Sequence, residues 1–340
     1  MSDRYDVHLL FEDTLLAESD LIRLRARLTA VAMRLGFAPA LIERARLAAS
    51  EIVSNQMKYA GGRGLLQVWE ASLGNQRALD LFALDYGPGI GDPPAALVDG
   101  YSTHATLGKG LGAIGRAAHA FGLLTRTAPC EDLPWHGTAL WVRFAPDARR
   151  PSPWDIGLYR RSYQGARANG DGFALCVGHG LRVLHLDVLG HGSAAGQVAD
   201  RAQYLFDCRR PLTQAFAAIE EGACATRGAA ALSYECDDRG RLSWVGVGDM
   251  QAQLLHEGGQ QSLRFRPGIL GQAHGRLQVA ETEWPVGGLV ASASDGLRRQ
   301  WGRALARIAH HPPQLVAYFL GQVLGRVTDD RSCLVVRRLG

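Results

Sequence analysis

Three prolines fall within nine residues at Pro146-Asp-Ala-Arg-Arg-Pro-Ser-Pro-Trp154, and no continuous helix or central strand can run through such a segment. The apolar strand pattern TALWVRF ends just before it and a new pattern starts just after, so the chain is expected to divide near residue 150. At 340 residues it is long enough for each side to bury a core of its own. The expected organisation is a first domain over 1–145, a linker over 146–154 and a second domain over 155–340.

Composition narrows the functional classes. Hydrophobic residues at 47% and charged residues at 21% are the balance of a globular protein. The net charge of +4 comes from scattered arginines without a run of like charge, which argues against a nucleic-acid or membrane surface. No apolar run approaches the ~20 residues that span a bilayer. The opening MSDRYDVHLLFED carries early acids and no signal-peptide core, so a cytoplasmic location is expected. The cysteines Cys130, Cys176, Cys208, Cys224, Cys236 and Cys333 lack metal-ligand spacing and are expected to be free thiols in a reducing compartment. Lysine occurs only at Lys58 and Lys109.

In the first half, Leu21, Leu24, Leu28, Val31 and Leu35 recur at helical spacing and stop at Gly36. A second helix is expected from about Ala40 to Tyr59, with Leu41, Ala45, Ala48 and Ile52 facing inward. Strands at LLQVWEA and ALDLFALDY, a helix at GAIGRAAHAF and a strand at TALWVRF follow, an α+β order with helices packed on one mainly antiparallel sheet. Glu51, Asn55 and Lys58 lie at i, i+4 and i+7 of the second helix and form one polar stripe. Such a stripe is either a solvated face or one side of a site. The rest of the domain favours a site. Asp85 closes a strand that runs into Tyr-Gly-Pro-Gly-Ile, and Gly108-Lys-Gly-Leu-Gly112 later opens a helix. A strand-end Asp can accept from an adenine amino group, and glycines at a helix N-terminus bring amide donors close to phosphate.

SEIVSNQMKYA, DYGPGI and GKGLGAI, in this order, resemble the N box and the two glycine boxes of GHKL-type ATPases, in the branch of RsbW/RsbT anti-sigma and switch kinases. The resemblance implies a GHKL (Bergerat) α/β sandwich that binds ATP and Mg²⁺. Asn55 would hold Mg²⁺ and Glu51 would orient or deprotonate the attacking hydroxyl. Asp85 would read adenine, with Thr138 adding a water-linked contact. Gly87, Gly89, Gly108, Gly110 and Gly112 would shape the phosphate pocket, and Lys58 or Lys109 would supply charge for phosphoryl transfer.

In the second half, FALCV and LRVLHLDVL read as a hairpin. Helices follow near AAGQVADRAQYLF and LTQAFAAIEE, then strands at AAALSYEC, RLSWVGVGD and QAQLLHE. The strand LVASAS, a helix around PPQLVAYFLGQV and the strand SCLVVRR close the chain. Two sheets flanked by helices are expected. Four aspartates stand at strand ends or turns: Asp171 in NGDGF, Asp187 in HLDVLGHG, Asp295 in SASDGL and Asp329 in TDDRSCLVV. A single Asp-Gly pair is usually a turn, and Asp237 and Asp238 keep that reading. Four such positions together are a candidate set of hard oxygen ligands for two divalent cations sharing a hydroxide nucleophile.

The run of GD, D-x-x-G-H-G, T-R-G-A-A, S-D-G and D-D-R-S resembles the PPM phosphatases in their SpoIIE/RsbX branch. The resemblance implies an α-β-β-α sandwich, giving an α+β protein of two domains, with two Mn²⁺ or Mg²⁺ ions. Asp187 would bridge both metals as the catalytic carboxylate, and Asp295 and Asp329 would ligate one. Asp171 would act through waters or a further metal, and Val188 would lend a backbone carbonyl. Valine replaces the family's glycine at 188 and would be strained if φ were positive there. Gly248-Asp249 replaces the family's G-N. His191 shapes the loop, or in a second reading serves as general acid.

The two resemblances imply a kinase joined to a phosphatase acting on STAS-domain anti-anti-sigma or stressosome-type partners, with a sigma factor and a homodimer as further candidates. The rival is a phosphatase whose N-terminal domain binds nucleotide or a partner protein without transferring phosphate.

Overall fold

The computed structural model describes residues 4–14, 18–74, 76–98, 110–146, 152–178, 180–272 and 274–340. Two units separate in it, one over Val7–Arg150 and the other over Pro151–Gly340 together with Met1–Asp6. Residues 147–151 of the proline-rich segment lie outside the described residues.

Pro39 in its first turn and Gly61 in the left-handed conformation, φ 61°, bound the helix that organises the first unit. The helices are α1 (Glu18–Arg34), α2 (Pro39–Ala60), the short α3 (Pro93–Ala96) and α4 (Gly110–Ala117). The strands β1 (Arg4–Asp13), β2 (Gly64–Gly74), β3 (Gln76–Asp85), β4 (Ala120–Arg126) and β5 (Gly137–Phe144) form one sheet in the order β1-β2-β3-β5-β4. Leu41, Ala45, Ala48 and Ile52 recur every three or four residues of α2. They pack with Leu24 and Leu28 of α1 against Val68, Leu81 and Val142 of the sheet. Buried Gln56 pins the C-terminal half of α2 to the sheet, its amide donating to the Leu65 carbonyl at 3.0 Å and the Leu84 carbonyl at 3.3 Å.

One boundary differs from the periodicity. GAIGRAAHAF extends the helix to Phe121, yet α4 ends at Ala117 and β4 begins at Ala120. The edge of β5 captures the chain there. The His119 amide donates to the Arg143 carbonyl at 2.9 Å, and the Ala145 amide donates to His119 Nδ1 at 3.2 Å. Ladder bonds to an existing strand outweigh one more turn of a helix that already carries three glycines.

The second unit contains two five-stranded sheets. One has the order β13-β10-β9-β8-β7, from β7 (Asp171–Val177), β8 (Leu181–Val188), β9 (Ala229–Cys236), β10 (Arg241–Val247) and β13 (Ala280–Glu283). The other has the order β12-β11-β14-β15-β6, from β6 (Trp154–Arg161), β11 (Gln251–His256), β12 (Gly259–Leu263), β14 (Leu289–Ala293) and β15 (Arg331–Arg338). Helices α5 (Ser193–Leu205) and α6 (Leu212–Ala223) cover the first sheet through a shared core that includes Leu184, Leu186 and Val188. Helix α8 (Pro313–Val323) lies on β6 and β15 of the second sheet, beside α7 (Trp301–Ile308). The unit is a mixed α/β fold of antiparallel sheets in helix–sheet–sheet–helix layers.

The sequence patterns do not include β6, β12, β13 and α7. The cysteine expectation is corrected as well. Cys176 on β7 and Cys208 are joined as a disulfide with Cα atoms 6.3 Å apart, while Cys130, Cys224, Cys236 and Cys333 are free. A separation of 32 residues with no motif around it hides such a pair from the sequence. Among the described residues no helix is long and apolar enough to cross a membrane.

Candidate active site

Strand alternation sets the face on which the chemistry sits. In H-L-D-V of β8, Leu186 and Val188 join the core under α5 and α6, so His185 and Asp187 face the other sheet. The β7–β8 register places Asp171 opposite Asp187 and Phe173 opposite His185. Two carboxylates therefore share the same end of one ladder. Asp171 is buried. Its Oδ2 accepts from the Ser294 hydroxyl at 2.7 Å, while its Oδ1 is buried without a hydrogen-bond partner. Asp187 Oδ2 accepts from the Asp295 amide at 3.3 Å, which draws the S-D-G turn after β14 to the same place. Gly296 in that turn lies against the Asp330 carbonyl, where a Cβ would collide.

The electrostatics follow from this crowding. Burial pushes the Asp171 carboxyl up to about 7, against the Ser332 and Ser294 hydroxyls that favour its charge, and the charges of Asp330 and Asp295 push the same way as burial. Burial likewise holds Asp187 well above the usual carboxylate range, with Asp171, Asp295 and Asp249 adding to it. Asp295 is raised by burial and then by Asp329 and Asp249, while Arg326 and the hydrogen bond to Asp187 act against the rise. Asp171, Asp187, Asp295 and Asp329 thus belong to one field of negative charge. Exposed Asp249, whose role the sequence left open, joins them.

The two aspartates of D-D-R-S do different things. Asp329 is half-buried, and its Oδ1 accepts from the Asp330 amide at 2.9 Å. Asp330 is buried and its oxygens are taken by backbone, Oδ1 by the Tyr163 amide at 2.7 Å and Oδ2 by the Gly170 amide at 2.7 Å. It straps down the loop that leads into Asp171. Val188 is in ordinary strand conformation, since Gln164 and Ala225 are the non-glycine residues with positive φ among those described. Its amide donates to the Gly170 carbonyl at 3.1 Å. Glycines take the left-handed positions of the following loop, with φ 103° at Gly190 and 82° at Gly192. His191 packs on the Tyr163 ring at 4.9 Å between centroids.

Among the described residues no group of three or more His, Cys, Asp or Glu side chains stands as a ready cation cage. In kind, however, the donors fit a hard divalent ion. They are carboxylate oxygens, mutually repelling and largely buried, and one oxygen of Asp171 is buried with no partner.

The first unit holds a second polar cluster. Asp85 Oδ1 accepts from the Gly87 amide at 2.9 Å and the Thr138 amide at 3.0 Å. Burial raises its carboxyl, and those two amides and His136 counter the rise. The Asp85 carbonyl accepts from the Trp135 indole at 3.1 Å, and Thr125 bridges the Ile90 amide to the Gly137 carbonyl. Trp135 and Thr125 were not anticipated, because each acts through backbone atoms of the motif. Gly89 needs its φ of 72° and its missing Cβ, which would collide with the Arg126 carbonyl. At the start of α4, a Cβ on Gly110 would stand 3.4 Å from Asn55 Nδ2 and 3.7 Å from Glu51 Oε2, so the N box and the second glycine box meet. Glu51 and Lys58 are exposed, Asn55 and Gly112 half-buried. Gly108 and Lys109 lie outside the described residues.

No protein-family model matches the chain. It is 33% identical to the serine/threonine-protein kinase RsbT of Bacillus subtilis (strain 168) over 109 residues, which are 32% of this chain and 81% of RsbT. Among solved structures it is similar to one of the bacterial stressosome, a modular system adapted to control secondary messenger signaling. That match has a TM-score of 0.50 and 27% identity, over 54% of this chain and 99% of the other. RsbX in complex with magnesium matches at a TM-score of 0.51 and 16% identity, over 56% of this chain and 96% of RsbX. About half of the chain therefore carries the PPM-type phosphatase fold, and through the 109 matched residues the chain belongs to the RsbT family.

Proposed function

We propose that this chain is a two-domain phosphorylation regulator. Residues 155–340 hydrolyse phosphoserine or phosphothreonine with two Mn²⁺ or Mg²⁺ ions, and residues 1–145 bind ATP and transfer phosphate to a protein hydroxyl. The observation that carries the phosphatase half is Asp171 facing Asp187 across β7 and β8, with the Asp295 amide on Asp187. Asp187, Asp295 and Asp329, with the Val188 carbonyl, would hold the ions, and Asp171 would complete the set. The ions would supply a hydroxide for in-line attack on phosphorus. The test is hydrolysis of a chromogenic phosphate ester with Mn²⁺. Asp187→Ala should abolish it, and an inactive wild type with Mn²⁺ would sink the phosphatase reading.

For the kinase half, the meeting of Glu51 and Asn55 with the start of α4 supports a nucleotide pocket, with Asp85 placed to read a base. The similarity to RsbT and to the stressosome supports STAS-domain partners and a cytoplasmic signalling role. Opposed activities on one residue would consume ATP to no effect, so the two halves are assigned different targets or reciprocal gating. Joining them raises their effective concentration at a shared partner. Incubation with ATP and candidate STAS proteins, followed by phosphosite mapping, tests this; no transfer to any of them counts against it.

A second reading keeps the phosphatase and makes the first domain a binding module. What favours it is that backbone amides fix Asp85 without any help from Glu51, so binding is separable from transfer. Glu51→Ala discriminates, because it stops a kinase while sparing ATP binding and leaves a binding module unchanged.

A further inference from the structure

A polar network crosses between the two sheets of the second unit. His185, Ser292, Ser294 and Ser332 are all fully buried. His185 Nδ1 lies 2.8 Å from Ser292 Oγ, and its Nε2 lies 2.8 Å from Ser332 Oγ. The Ser332 amide donates to Ser294 Oγ at 3.0 Å, and the Ser294 hydroxyl donates to Asp171 Oδ2 at 2.7 Å. Buried polar groups are retained only when paired, and each member here has a partner except Asp171 Oδ1.

His185 on β8 is held between buried hydroxyls of the other sheet, Ser292 on β14 at Nδ1 and Ser332 on β15 at Nε2. The Ser294 oxygen accepts the backbone proton of Ser332, and the Ser294 hydroxyl gives its own proton to Asp171 Oδ2. The network closes Oδ2 of the carboxylate and leaves Oδ1 without a partner.

We propose that Ser294, with Ser332 and His185 behind it, is a positioning residue that turns Asp171 so that Oδ1 alone is presented to a divalent cation. The inference rests on the reading of Asp171 as part of the metal centre. Groups that hold a ligand in place contribute to affinity without touching the ion. A Ser294→Ala chain loses the hydroxyl that donates to Asp171 and accepts from the Ser332 amide.

The experiment is a calorimetric titration of the full chain with Mn²⁺, using wild type, Ser294→Ala, Asp171→Asn and the double variant. Ser294→Ala should bind Mn²⁺ about 10- to 100-fold more weakly. In the Asp171→Asn background it should add less than about twofold, because it acts through that carboxylate. Ser332→Ala should weaken binding in the same direction and less. Wild-type affinity in Ser294→Ala overturns the proposal, and so does an equal loss in both backgrounds, which marks a general structural role. If wild type binds no Mn²⁺, the metal reading itself falls and takes the positioning role with it. If Asp187→Ala weakens Mn²⁺ binding while Asp171→Asn does not, the centre stands and only the positioning role fails.

Discussion

Asp171 and Asp187 stand directly opposite each other in the antiparallel register of β7 and β8. Like charges at opposed positions repel, and here burial compounds the effect. Without a cation the pair weakens the fold at that end of the sheet. Asp187→Asn should therefore raise the thermal midpoint in EDTA by a few degrees, roughly the effect of 1 kcal/mol. The same variant should lose the stabilisation that Mn²⁺ gives wild type. Differential scanning calorimetry with and without Mn²⁺ reads both, and a lower midpoint in EDTA would contradict the repulsion.

Asp330 accepts the Tyr163 and Gly170 amides and so fixes the loop that enters β7. Asp330→Ala leaves two donors without their acceptor, at a cost of about 2–4 kcal/mol. Asp330→Asn keeps one acceptor oxygen and should lose about half as much. Urea unfolding monitored by circular dichroism measures the difference.

Gly89 and Gly91 offer a matched pair in the first unit. A Cβ on Gly89 meets the Arg126 carbonyl at a φ of 72°, whereas one on Gly91 meets nothing within 4 Å. Gly89→Ala should destabilise the unit by more than about 2 kcal/mol, and Gly91→Ala should fall within about 0.5 kcal/mol of wild type. Equal effects in chemical denaturation would refute the strain at Gly89.

Asp85 is held in place by the amides of Gly87 and Thr138. Asp85→Asn turns one acceptor into a donor and should reduce binding of a fluorescent ATP analogue at least about tenfold, since an unpaired buried polar group opposes the base. Fluorescence titration with Mg²⁺ measures it, and wild-type affinity would remove Asp85 from the nucleotide site.

His311 gives the fold a pH dependence. Burial, then His310 and Arg337, lowers it to about 4 from its ordinary 6.5. The unfolded chain therefore binds more protons between pH 6.5 and 4, so this contribution is complete above 6.5 and is lost as pH falls toward 4. His311→Gln should flatten the fall of stability across that window. An unchanged slope in urea melts from pH 7 to pH 4 would rule His311 out as its source.

The sequence by itself determined the local elements. The three-to-four spacing of Leu41, Ala45, Ala48 and Ile52 carried α2, and LRVLHLDV carried β8, because periodicity is a property of neighbouring residues. The same alternation in LRVLHLDV and LVASAS already put His185 with Asp187, and Ser292 with Ser294, on common faces, a signal passed over because neither serine nor histidine stood in a recognised motif. Only the tertiary structure decided that β5 captures His119 and ends α4 early, that Cys176 meets Cys208, and that Asp330 straps a loop while Asp329 stays open. It also decided that Ser294 closes one oxygen of Asp171 and leaves the other without a partner. These contacts join residues from 24 to 160 positions apart. Their energy comes from burial and from pairing across sheets, neither of which exists until the strands have found their register.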